Sequence, residues 1–159
     1  MNTTDTLQLV GDFSVLLDYH QGKGKEIFFE KKNLITSEAK RYLLSSLYAN
    51  NVISDPIATF HAGSGGCIDL LGFYPKAENP NQTGLYVQEI SVATNYVVNT
   101  VDITVTFLAD IDMSEGNGIL FTEAGLFKES GLMFNVKNHP GILKNSEFSI
   151  HYEWRIRFL

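Results

Sequence analysis

The sequence predicts a mainly β protein, an antiparallel β-sandwich with a single α-helix at about residues 36–49. Three observations predict it. In the last segment, FSIHYEWRIRF, Phe148, Ile150, Tyr152, Trp154, Ile156 and Phe158 alternate with Ser149, His151, Glu153, Arg155 and Arg157. That unbroken period of two specifies a strand with one buried and one wet face. Further short apolar runs are separated by turns rich in glycine, and only one stretch has helical spacing.

Taken in order, the first strand runs from Leu7 to Tyr19 and the second from Glu26 to Glu30, joined at Gly22-Lys-Gly. The helix follows in ITSEAKRYLLSSLYANN. Thr36 is its N-cap, Glu38 lies in the first turn, Ala39, Tyr42, Leu43 and Leu47 share a face, and Asn50-Asn51 stops it. Strands are expected at Ile57 to His61 and Leu85 to Val92, separated by a glycine turn at 63–66 and a polar loop, PKAENPNQTG. NTVDITVTFLAD reads as one strand, with Val101, Ile103, Val105 and Phe107 on its apolar side. After the turn Glu115-Gly-Asn-Gly come strands Ile119 to Phe127 and Leu132 to Val136, linked as a hairpin through Lys128 to Gly131. The terminal strand carries the largest aromatic side chains, Trp154 among them, so it is expected at the centre of the core.

Composition narrows the function classes. The chain has 159 residues, 44% of them hydrophobic, enough for one domain with its own core. Its net charge is −6, and its basic residues cluster only at Lys23 to Lys32 and at Arg155 and Arg157, which argues against a nucleic-acid partner. No leader-like N-terminus and no apolar run of membrane-spanning length is present, so no membrane anchor is expected and the chain reads as soluble and made in a cytoplasm. Cys67 is the single cysteine, which excludes an internal disulfide and any multi-cysteine metal site.

HAGSGGCID has the glycines of a phosphate loop but lacks its Lys-Ser/Thr pair, so Gly63 and its neighbours read as a structural turn in which glycine supplies positive φ. His61 and Cys67 are too few to hold zinc, and Ser64 does not sit in a nucleophile elbow. Asp110, Asp112 and Glu115 lack the spacing of a calcium loop. No metal, cofactor or catalytic residue is expected. Glu123, in LFTEAGLF, is the exception among the carboxylates. Strand alternation places it between Phe121 and Phe127, where an unpaired charge would cost several kcal/mol. Its expected partner is Arg41, Arg155 or Arg157, or else the backbone amides of a neighbouring turn. Gly125 is expected to let another group pack close to it.

In order, NLITSEAKRYLLSSL, FHAGSGG, FTEAGLF with its hairpin and GLMF, and EWRIRF resemble the small β-sandwich proteins of bacteriophage tails, including tail-collar, fibre-attachment and baseplate components. LYVQEI is similar to a further acidic strand of that group. The resemblance covers about residues 33–159. It implies a non-enzymatic structural component of a virion, assembled in the bacterial cytoplasm from copies of itself and other tail proteins such as fibre, baseplate or neck components. Residues 1–32 then read as a separate strand or arm reaching neighbouring subunits. The alternative from another class is a carbohydrate-binding sandwich module that uses Tyr74, Tyr86 and Tyr96 to stack on sugars.

Overall fold

The structure is a computed structural model that describes residues 8–20, 22–46 and 54–158. Its elements in chain order are β1 (Leu9–Tyr19), β2 (Gly24–Lys32), β3 (Leu34–Ile35), α1 (Ser37–Ser46), β4 (Ile57–Gly63), β5 (Gln88–Ala93), β6 (Asn95–Asn99), β7 (Thr104–Ile111), β8 (Leu120–Lys128), β9 (Met133–Leu143) and β10 (Ser149–Phe158). They form two five-stranded antiparallel sheets, ordered β2-β1-β10-β7-β6 and β3-β9-β8-β4-β5, packed face to face as a β-sandwich.

The terminal strand is central, as its aromatic face predicts. β10 lies between β1 and β7, and Ile150, Tyr152, Trp154 and Ile156 are buried. Trp154 packs on Phe13 from β1 at a ring separation of 4.4 Å and on Phe60 from β4 at 5.6 Å, so one side chain ties the two sheets together. The expected division at residue 32 does not coincide with a break in the fold. β1 pairs with β10 from Leu9↔Phe158 to Asp18↔Ser149, and Phe13, Val15 and Leu17 belong to the same core as Trp154.

The helix begins as expected. Thr36 Oγ1 accepts the Ala39 amide at 3.2 Å, and its hydroxyl lies 3.0 and 3.1 Å from the carbonyl oxygens of Met133 and Phe134, fastening the cap to β9. Ala39 is buried and Leu43 packs against the core. Leu47 and the Asn50-Asn51 stop lie outside the described residues.

Two expectations about strands need correction. NTVDITVTFLAD is not one strand: the Asn99 side chain accepts the amides of Val101 and Asp102 at 3.0 and 3.2 Å, and Ile103 has φ 48°, so the chain turns before β7 begins at Thr104. Val101 and Ile103 are exposed as a result. The segment before that turn is an additional strand, β6, which joins the first sheet while β5, just ahead of it, belongs to the second.

The second correction concerns β8. Its register against β9 shifts between Phe121, which pairs with Ile142, and Glu123, which pairs with Asn138, so Thr122 alone stands opposite a bulge of β9 made by His139, Pro140 and Gly141. Phe121, Ala124 and Leu126 all reach the sandwich core, whereas Phe127 joins a smaller cluster with Met133 and Val136. Phe121 and Glu123 therefore point to opposite faces, and Glu123 does not lie between two phenylalanines. Across this break in the ladder the carboxylate faces away from the core, towards the loop that covers the second sheet.

Candidate functional site

Glu123 is fully buried beneath a long connection between β4 and β5. Its Oε1 accepts the backbone amides of Gly65 at 3.0 Å and Val87 at 2.8 Å, and its Oε2 accepts that of Tyr86 at 2.9 Å. Beside it, Thr122 accepts the Gly66 amide through its hydroxyl at 2.8 Å. The two ends of the loop are thus pinned to β8 by two adjacent side chains, Thr122 and Glu123. Backbone amides are rigid donors, so a carboxylate that receives several of them is well compensated without a cation.

The glycines around this carboxylate are required by space. Gly63, Gly65 and Gly66 do not have positive φ, which corrects the expectation that backbone conformation selects them. A methyl group on Gly63 would overlap the Val87 carbonyl oxygen and crowd Glu123, one on Gly65 would meet Tyr86, and one on Gly66 would overlap the Thr122 carbonyl oxygen. Gly125 also has close neighbours, since a β-carbon there would lie 3.0 Å from the Asn135 carbonyl oxygen and 3.4 Å from Leu85.

None of the three arginines reaches Glu123. Arg41 bonds Glu38 on the exposed side of the helix at 3.0 Å. Arg157 bonds Asp12 at 2.6 Å, and Arg155 is exposed. The two C-terminal arginines lie on the outer face of the first sheet, because alternation along β10 turns them away from the core whenever Trp154 and Ile156 face inward. Glu123 faces outward from the opposite sheet, so the sandwich itself separates it from them.

The remaining candidates are also engaged. The Ser64 hydroxyl donates to Glu89 at 2.6 Å, and the His61 ring stacks on Phe127 at 4.0 Å. Burial pushes the Cys67 thiol up, with the nearby charge of Asp69 acting in the same direction. The acidic turn at 112–118 already encloses a cation. Lys144 Nζ donates to Met113 O, Asn117 Oδ1 and Asn145 O at 3.2, 3.1 and 2.6 Å, and burial holds its ammonium below the usual lysine range. Among the described residues, no three His, Cys, Asp or Glu side chains converge as a metal site would need, and no helix is long and apolar enough to cross a membrane.

Sequence reasoning missed Asp69. Its Oδ2 accepts the amides of Leu71 and Phe73 at 3.2 and 3.0 Å, and its Oδ1 accepts that of Tyr74 at 2.8 Å. These amides, Phe73 first, hold the carboxyl below the usual carboxylate range. Gly72, with φ 78°, completes the turn, and its carbonyl accepts the Gly141 amide at 2.7 Å. The result is a pre-organised apolar projection in which Ile68, Leu70, Leu71 and Phe73 are 76, 97, 71 and 67% exposed. An Asp three residues before a Gly is a readable turn signal, but nothing in the spacing says that the intervening leucines face solvent. Compared with known proteins, the chain matches no described protein family, no curated protein and no solved structure.

Proposed function

We propose that this protein is a structural component of a bacteriophage virion, a tail, baseplate or fibre-adaptor block that assembles through its surfaces and performs no catalysis. The observation that carries this reading is how Glu123 is used. The most deeply buried carboxylate of the described residues has both oxygens occupied by backbone amides, a use that holds a loop in place. What it stabilises is the loop that presents an apolar projection to solvent, and exposed apolar surface of this kind suits protein association. The order of motifs that resembles phage tail proteins supports the same reading.

The carbohydrate-binding alternative needs an aromatic platform. Tyr74, Tyr86 and Tyr96 are all exposed, yet Lys76 Nζ stands 4.3 Å from the centre of the Tyr86 ring, and Tyr96 belongs to the first sheet while Tyr86 lies beside the second. These placements favour the structural reading. The test is to raise antibodies to the purified protein and probe purified phage particles by immunogold labelling and mass spectrometry. Stoichiometric presence in the particle is expected. Its absence from the particle, together with selective glycan binding on an array, would overturn the proposal in favour of the module.

A further inference from the structure

The first sheet has two edges, and they differ in chemistry. β2, at one edge, contains Lys25, Glu26, Glu30, Lys31 and Lys32, and charges at an edge strand discourage pairing with another chain. β6, at the other edge, reads NYVVN, with no charge, no proline and no glycine. It pairs with β7 in unbroken register from Asn95↔Leu108 to Asn99↔Thr104, and among the described residues no strand lies on its other side. Every residue of β6 is exposed. Tyr96 and Val98 border an apolar groove with Val105 and Phe107, while Val97 and Asn99 lie beside Thr104 and Thr106 on the outer face.

An open edge of this kind is a template for an extended strand, whose backbone takes the place of water along its row of amides and carbonyls. The sequence of β6 is suited to its own copy. In antiparallel pairing about a two-fold axis at Val97, Asn95 meets Asn99 of the partner subunit, Tyr96 meets Val98 of the partner subunit, and Val97 meets Val97 of the partner subunit. No charge opposes a like charge, aromatic and β-branched residues face each other, and the apolar grooves of the two copies become continuous. We propose that two copies of this protein associate through β6, joining two five-stranded sheets across an isologous two-fold interface. This rests on the structural-block reading and specifies one of its assembly surfaces.

Sedimentation equilibrium across the micromolar range tests the proposal with three variants. Val97→Lys sets two ammonium groups opposite each other and is expected to raise the dimer dissociation constant by about tenfold or more. Phe28→Lys, on the charged edge, is expected to leave it unchanged. Val97→Cys is expected to cross-link to itself on oxidation, since Cα atoms opposite each other in an antiparallel pair lie ~4.5–5.5 Å apart, within disulfide range. A wild-type protein that sediments as a monomer throughout would overturn the proposal. So would association unaffected by Val97→Lys with no cross-link through Cys at position 97. In that last case the structural-block reading survives with another surface as its contact, and particle labelling decides it separately.

Discussion

On the outer face of the second sheet a carboxylate, Glu123, is fully buried under the loop between β4 and β5 and accepts three backbone amides. On the outer face of the first sheet another, Asp12, stands partly exposed between Lys32 and Arg157. Partial burial pushes the Asp12 carboxyl up, and its two cationic neighbours more than reverse this, leaving it below the usual carboxylate range. Both groups are satisfied, but not equally costly to remove. Water replaces lysine and arginine at an exposed site, whereas amides closed under a loop have no substitute once their acceptor is gone. The buried carboxylate holds the architecture, while the exposed one adjusts it.

The largest expected effect tests the buried side. Glu123→Ala should lower stability by about 3–5 kcal/mol, by analogy with removing one partner from a buried charged interaction. Thermal melting is expected to fall by on the order of 10 °C for a chain of this size. Glu123→Gln should fall between the wild type and Ala, since its amide nitrogen cannot accept the hydrogen bond that one carboxylate oxygen receives. A wild-type melting temperature in Glu123→Gln would break the comparison.

A second buried group sharpens it with pH. His139 lies in the core against Phe13 and Tyr152, and burial depresses its pKa from 6.5 to about 4. The unfolded chain therefore binds a proton between those values that the folded chain does not. The stability contribution is fully present above pH 6.5 and is lost as pH falls towards 4, by on the order of 3 kcal/mol in total. Urea unfolding at stepped pH should show this slope in the wild type and a flatter one in His139→Leu.

Next in size comes the space around the carboxylate. Gly66→Ala forces a β-carbon against the Thr122 carbonyl and should cost ~1–3 kcal/mol by chemical denaturation. Gly84→Ala, where no atom lies within 4 Å of the added carbon, should change stability by no more than about 0.5 kcal/mol. A small effect is also expected at the exposed carboxylate: Asp12→Asn should cost less than about 1 kcal/mol and should matter less as salt is raised. A loss as large as that of Glu123→Ala would contradict the argument from exposure.

Much of the sandwich was legible from local pattern. β10 announces itself through period two and aromatic weight, the helix through Thr36 and the spacing of Ala39, Tyr42 and Leu43, and the β8 to β9 hairpin through Gly131. The candidate site was half legible. Glu123 stands out against its apolar neighbours, and the neighbouring-turn alternative names the type of donor that the structure supplies. The identity of those donors was not legible, because Gly65, Tyr86 and Val87 lie 58, 37 and 36 residues away along the chain.

The sequence by itself determined most of the strands, where the helix begins, and that a carboxylate in LFTEAGLF needs compensation. These follow from periodicity and from the cost of burying charge, which act over a few neighbouring residues. Only the tertiary structure decided which way that carboxylate faces. Alternation assigns a face only while every residue has a partner across the ladder, and opposite Thr122 the ladder breaks because β9 bulges through His139, Pro140 and Gly141. That break, with Phe121 in the core on one side of it and Glu123 out of the core on the other, leaves no signal in LFTEAGLF itself, because a bulge is a property of two strands together.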